Sequence, residues 1–190
     1  MTHQKEKFIG EAVAISKAHN WSGYNLDFEV GVGAPKGCVA NDTAAYLPFL
    51  NEWAAAMHAE GMGLQLDVGG CNDPFKVDYC GLSCSQLRGS KVDRLVSMDT
   101  YADDIACNGS CTFDEAFALD SAALCNSGVA CPKLQVGLMW SKPGKLAQLG
   151  QPELIAKMAS IRKRGVDKIS LWVGAPNQIW WNAFRRFLSA

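Results

Sequence analysis

Two hydrophobic periods alternate along this chain. From about His3 to His19, Phe8, Ile9, Ala12, Val13 and Ile15 share one side of a 3.6-residue period, which predicts a helix. Gly23–Val30 (GYNLDFEV) switches to a period of two and predicts a strand, with a glycine-rich loop behind it. Asn41–Glu60 returns to helical spacing, with Leu47, Leu50, Ala54 and Met57 in one stripe and Gly61 as the stop. Pro48 either opens that helix or kinks it. Met62–Val68 is the next predicted strand, and a cysteine-rich, partly helical stretch leads to another at Arg94–Tyr101. Thr112 and Glu115 form a capping box that starts a helix ending near Asn126. Lys133–Trp140 is a fourth strand. Pro152 opens a helix carrying Leu154, Ile155, Met158 and Ile161, which Gly165 stops. Asp167–Gly174 is a fifth strand and Ile179–Leu188 a last helix, where Trp180 and Trp181 are expected to pack inward.

Strands alternating with helices at this spacing predict an α/β fold with parallel strands in sequence order. The sidedness of each strand selects the architecture. A strand covered by helices on both faces is apolar throughout; these strands are not. Asn25, Asp27 and Glu29 share one face of the first strand, opposite Leu26 and Phe28. Gln65 and Asp67 oppose Leu64, Leu66 and Val68; Ser97, Asp99 and Tyr101 oppose Val96, Met98 and Thr100. Gln135 and Gly137 oppose Leu134, Val136 and Leu138, and Ser170 and Trp172 oppose Ile169, Leu171 and Val173. One apolar side toward helices and one polar side inward is the pattern of a (β/α)8 TIM barrel with a wet interior, open at the carboxyl ends of its strands. A closed barrel takes eight strands and typically about 250 residues. The 190 residues predict five of eight βα units, a partial barrel in one domain spanning 1–190, with an open sheet edge that a partner chain or second copy would cover.

Composition narrows the function classes. The net charge is −1, with no basic stripe for nucleic acid. Arg162-Lys163-Arg164 precedes Gly165, where a helix C-terminus collects cations. No apolar run reaches the ~20 residues that cross a bilayer, and the opening MTHQKEKFIGEA does not read as a signal peptide. Eight cysteines, Cys38, Cys71, Cys80, Cys84, Cys107, Cys111, Cys125 and Cys131, cluster in loops. Their even count suggests disulfides and an oxidising, extracellular or secretory compartment, with local pairs in the Cys71–Cys84 and Cys107–Cys131 clusters. Zinc held by Cys80, Cys84, Cys107 and Cys111 is the weaker alternative, because no histidine stands near them. Three sequons, at Asn20, Asn41 and Asn108, fit the same compartment.

The chemistry concentrates in the first strand. Asp27 and Glu29 lie two residues apart on one face, so their Cβ atoms are about 6–7 Å apart. Two acids this close do not ionise independently, which leaves a neutral acid beside an anion. Glycosidic cleavage uses that pair: a proton for the leaving oxygen and a negative group for the cationic transition state. The ordinary alternative is one solvated and one ion-paired acid at a strand end.

Ser22-Gly23-Tyr24-Asn25-Leu26-Asp27-Phe28-Glu29 resembles the fourth-strand motif D-G-x-D-x-D-x-E of the family 18 glycoside hydrolases, the chitinase-like barrels. The glycine, the last aspartate and the glutamate match, whereas Ser22 and Asn25 replace the first two acids. That family places a tyrosine at the end of its sixth strand and a tryptophan at the end of its eighth. Asp99-Thr100-Tyr101 and Ile169-Ser170-Leu171-Trp172 look similar. The resemblance covers nearly the whole chain, as strands four to eight. It implies an N-acetylglucosamine-containing oligosaccharide or polysaccharide as substrate, with no metal or other cofactor. Glu29 would be the general acid, and Asp27 would orient the substrate's N-acetyl group, which attacks the anomeric carbon in place of a protein nucleophile. Tyr101 would hold the acetamido oxygen, and Trp172 would stack on the sugar. Asn25, Gln65, Asp67, Asp99 and Gln135 would line the binding wall. Asn25 keeps a hydrogen bond to Asp27 within reach but brings no charge. A non-catalytic sugar-binding module of the same lineage, or a subunit completed by another chain, are the alternatives.

The remaining candidates read as structural. Gly31-x-Gly33-x-x-x-Gly37 contains Pro35 and lacks dinucleotide spacing. His19 and His58 show no acid partner in the sequence. Cys38 and Cys71 lack the histidine that a thiol nucleophile would need.

Overall fold

In the computed structural model, residues 2–27, 40–68, 82–98, 112–126, 131–139, 150–172 and 177–189 are described. The elements run α1 (Thr2–His19), β1 (Gly23–Leu26), α2 (Ala40–Ala59), β2 (Gly63–Val68), α3 (Cys84–Gly89), β3 (Arg94–Ser97), α4 (Phe113–Cys125), β4 (Leu134–Met139), α5 (Gln151–Lys163), β5 (Ile169–Trp172) and α6 (Gln178–Ser189). The strands form one sheet in the order β1-β2-β3-β4-β5. β1 runs parallel to β2, and β4 parallel to β5. Sequence order with parallel pairing is what the alternating pattern predicted. Two compact units share the chain: Met1–Asp67 with Val77–Leu95, and Val68–Lys76 with Val96–Ala190.

In the first unit the apolar side of β2 forms the centre. Leu64 and Leu66 are fully buried, as are Leu50, Ala54 and Met57 from α2, with Trp53 nearly so. α1 contributes Ile9, Ala12 and Ser16 to the interior. Its expected stripe is narrower than the periodicity suggested, since Phe8 and Ile15 are each 47% exposed. The buried direction runs through Ile9, Ala12 and Ser16, so Phe8 and Ile15 fall on its flank. Phe8 still meets Phe49 and Trp53 by ring contact, at 5.9 and 5.0 Å between centroids. Lys5–Glu52 and Lys17–Glu60 ion pairs tie α1 to α2 and to the turn just past it, with exposed carboxylates that limit their worth. Pro48 lies inside α2 and does not open it.

One close approach sets the register of β1 on β2. Gly23 stands opposite Gly63, at φ +151°. A Cβ on Gly23 would collide with the backbone carbonyl of Gly63. Glycine is required there by contact and by conformation together. The glycine shared with the family 18 motif is thus explained by strand packing.

In the second unit Val136 of β4 pairs with Ile169 of β5, and Met139 with Trp172. Leu134, Val136 and Leu138 are buried, as are Leu154, Met158 and Ile161 of α5. The expected capping box is present: Thr112 accepts from the Glu115 N–H, and Glu115 reaches back to the Thr112 N–H. Those bonds, from the Thr112 backbone first and its hydroxyl second, lower the Glu115 pKa. α4 closes on Asn126 in the left-handed region. Arg164 follows α5, bonds Asp114 and Ser160, and lies over the Phe113 and Phe117 rings. Trp180 is buried as expected, but Trp181 is 49% exposed, one position round the helix from the interior. A Cys125–Cys131 disulfide joins the end of α4 to the residues before β4, within the cluster where local pairing was expected.

Gly23→Ala should destabilise the protein by about 1–3 kcal/mol, the usual cost of forced overpacking, read as a lower midpoint in urea. An unchanged midpoint would remove the packing explanation of this glycine. Opening the Cys125–Cys131 loop with a double serine substitution should cost about 2 kcal/mol by loop entropy. Peptide mapping without reductant checks the pairing itself, and a free thiol at either residue would contradict it.

Candidate functional site

The residues with chemistry in the first unit come from the polar sides of β1 and β2. Parallel pairing places Asn25 directly opposite Gln65. The Asn25 Nδ2 donates to Asp67 Oδ2 at 3.4 Å. Asp67 is only 2% exposed, so its carboxylate has left water and needs donors. Gln65 is half-buried and Asn25 is exposed. Asp27 directly follows the last residue of β1 and is exposed. The structure therefore brings Asn25, Gln65 and Asp67 together, with Asp27 at the carboxyl end of the same strand. Among the described residues Asn25 bonds Asp67 and not Asp27. Asp67 is the diagonal neighbour of Asn25, two residues beyond its register partner Gln65. Glu29 lies outside the described residues, as do Asp99 and Tyr101.

The second unit holds Gln135 on β4 and Trp172 at the end of β5. Gln135 is 4% exposed, and its Oε1 has no hydrogen-bond partner among the described residues. Ser97, on the polar side of β3, is fully buried. The expected uniformly wet interior is therefore corrected. Asn25 meets solvent, whereas Asp67, Ser97 and Gln135 are as inaccessible as core residues. Alternation reports which side a residue faces, not how deep that side is covered. Trp172 pairs through its backbone with Met139.

A histidine–carboxylate pair escaped the sequence reading. His58, in the last turn of α2, contacts Asp93 Oδ2 through Nε2 at 2.9 Å. The same carboxylate oxygen accepts from the Leu64 N–H at 2.7 Å, while the Asp93 N–H donates to the Leu64 carbonyl at 2.8 Å. Asp93 thereby fastens the entry of β3 to β2 and to α2. Partial burial raises the Asp93 pKa, but the Leu64 N–H and then the His58 bond and charge outweigh it, holding the carboxyl below its ordinary value. The only local signal was a histidine in a last helical turn, where cations collect. Its partner lies 35 residues away. The pair sits at the amino ends of the strands, the stabilising end of a barrel. The zinc alternative loses a ligand, since Cys84 is disulfide-bonded. Among the described residues, no group of three His, Cys, Asp or Glu could hold a metal, and no helix is long and apolar enough to cross a membrane.

A depressed carboxyl pKa stabilises the fold above the unfolded value, about 3.9, and that contribution is lost as pH falls through the folded value. Asp93→Asn should therefore lower the thermal midpoint at pH 6 and lose its effect below about pH 4. A difference that persists undiminished at pH 3 would assign the loss to shape and not to charge.

Protein-family models return no match to this sequence, and curated proteins return none. Solved structures do match in fold. A class V chitinase from Pseudomonas fluorescens Pf-5 superposes with a TM-score of 0.68 at 18% identity, covering 97% of this chain and 72% of that one. A family 18 chitinase from the chitin utilization locus of Flavobacterium johnsoniae gives 0.60 at 12% identity, covering 98% and 67%. Catalytic domain 2 of the Ostrinia furnacalis Group II chitinase, solved with penta-N-acetylchitooctaose, gives 0.62 at 14% identity, covering 90% and 64%. The fold is the chitinase-like one of family 18, a (β/α)8 TIM-barrel type represented here by five βα units.

Proposed function

We propose that this chain, acting as one domain over residues 1–190, is a chitinase-like glycoside hydrolase that cleaves N-acetylglucosamine-containing glycans. The observation that carries the reading is the position of β1 within this fold. Its polar side presents Asn25 and leads directly to Asp27, in the order of the family 18 acid motif, and Glu29 follows two residues later. Glu29 protonates the glycosidic oxygen. The substrate's acetamido oxygen attacks the anomeric carbon while Asp27 orients the acetamido group and balances its developing charge. Water, giving its proton to the Glu29 carboxylate, then opens the cyclic intermediate from the face the leaving group vacated, so configuration is retained. Tyr101 holds the acetamido oxygen and Trp172 stacks on the sugar's apolar face. Gln65 and Asp99 supply polar contacts along the wall, and the covered Asp67 acts from behind it by holding Asn25. Gln135 would meet the sugar only once uncovered, when its unsatisfied Oε1 would accept from a hydroxyl or amide donor. No cofactor enters this chemistry. Disulfides at Cys84 and Cys125–Cys131 support an extracellular or secretory setting.

A second reading has its own observation. Asn25 stands where the family's middle acid stands, and its amide is spent on Asp67. Without that acid, Asp27 loses a charged neighbour that tunes it. A non-catalytic sugar-binding module would retain the stacking and wall contacts alone. A subunit completed by another chain at the β1 or β5 edge is a variant of either reading.

Glu29→Gln preserves shape but cannot donate the proton. Turnover of a fluorogenic chitobioside should fall by about 10²–10⁴-fold, with chitooligosaccharide affinity kept within a few-fold of wild type. Equal turnover in both proteins would exclude Glu29 as the acid. Binding without cleavage in the wild type would select the module.

A further inference from the structure

The turn between α1 and β1 carries a feature that the proposed catalysis does not use. α1 ends in a closed C-terminal motif. The Asn20 N–H donates to the Lys17 carbonyl at 3.2 Å, and the Trp21 N–H to the Ser16 carbonyl at 2.9 Å. Asn20 itself takes the left-handed conformation, with φ 54°. This double bond pattern with a left-handed residue just past the helix is one that asparagine tolerates. It satisfies the backbone and leaves the side chain outside. Asn20 is exposed, and no hydrogen bond occupies its amide among the described residues. Ser22, two residues on, is exposed as well, and its carbonyl anchors the turn by accepting from the Gly63 N–H at 2.8 Å.

Asn20-Trp21-Ser22 is an acceptor triplet for N-linked glycan. The chain has two other such triplets. Asn41 lies within α2, and Asn108 lies outside the described residues. The Asn20 triplet is thus the one seen in an exposed turn. The aromatic residue at its centre adds an independent observation. Trp21 is 47% exposed yet held in place, stacked on His19 at 5.2 Å and edge-on to Tyr24 at 5.8 Å. The Tyr24 hydroxyl in turn donates to the Ala12 carbonyl at 3.0 Å. A fixed, half-open indole beside the acceptor amide offers a platform for the apolar face of the first sugar residue.

We propose that Asn20 is an N-glycosylation site, with the first N-acetylglucosamine covering Trp21. The inference rests on the secretory setting proposed above, and not on catalysis. A lipid-pyrophosphate-linked oligosaccharide is the donor. A bond forms between Asn20 Nδ2 and the anomeric carbon as the bond from that carbon to the pyrophosphate oxygen breaks. The amide gives up one proton, and the lipid pyrophosphate leaves with the electron pair. The turn enters the amino end of β1, whereas Asp27 lies past its carboxyl end, so a glycan here leaves the proposed site open.

The test is site mapping on the full chain secreted from a eukaryotic cell behind a cleavable leader. Glycan removal in heavy-oxygen water should convert Asn20 to labelled aspartate in most molecules. Asn20→Gln and Ser22→Ala should each abolish that label, and iodide should quench the tryptophan emission less in protein trimmed to a single sugar than in fully deglycosylated protein, a difference that Trp21→Phe removes. Mapping needs only the wild type, so variants that fail to fold do not decide the matter. An unmodified Asn20 in secreted protein whose Cys125–Cys131 bond is closed overturns the proposal and leaves the compartment and the hydrolase reading intact. A glycan on Asn20 in protein that cleaves no chitobioside supports this inference while sinking the hydrolase reading.

Discussion

The meeting of β1 with β2 at two glycines is the constraint on which the first unit depends. Gly23 and Gly63 stand opposite each other, and the Gly63 carbonyl fills the space that any Cβ on Gly23 would need. Two strands pressed this close cannot slip by a residue, because slippage would turn every side chain to the other face. The register then places Asn25 opposite Gln65 and within reach of Asp67, while Leu64 and Leu66 go to the helix side. A mutual contact without side chains thus fixes where the polar side chains go. The acid order of the proposed site inherits its direction from that contact.

One residue further along the same amino end of β2, polar side chains add to the fastening. Asp93 accepts from the Leu64 backbone and contacts His58, so one carboxylate links a helix end and two strands. Both side chains are about two-fifths exposed, which keeps the ion pair weak and makes the backbone bond the greater part of the link. The two ends of β2 therefore differ in kind. The amino end carries the clasp that holds elements together, and the carboxyl end carries the buried Asp67. That division of labour is the one a barrel imposes, with stability at the amino ends and chemistry at the carboxyl ends.

Much of this was legible in the sequence because its causes are local. The Thr112–Glu115 capping box, the stop at Gly165 and the period-two runs each depend on a few neighbouring residues, and each element formed where its signal stood. The alternation of strands and helices sufficed for the strand order. What the sequence withheld depends on partners far along the chain. His58 looked solitary because Asp93 lies 35 residues on. Phe8 and Ile15 looked interior because periodicity marks a face without showing how wide a neighbour covers it. Asp27 lies within reach of Asn25 along the strand, yet the bond runs diagonally to Asp67. Within the candidate site, the residue types and their side of the sheet were readable, and the pairing between strands was not.

The central claim is that this fold performs retaining cleavage through the substrate's own acetamido group. Proton NMR of a chitopentaose digestion, recorded in the first minutes, reads this most directly. The account expects shortened oligomers whose new reducing ends appear first as the β-anomer and only later equilibrate by mutarotation. Shortened oligomers appearing first as the α-anomer, or intact chitopentaose bound without cleavage, would contradict it.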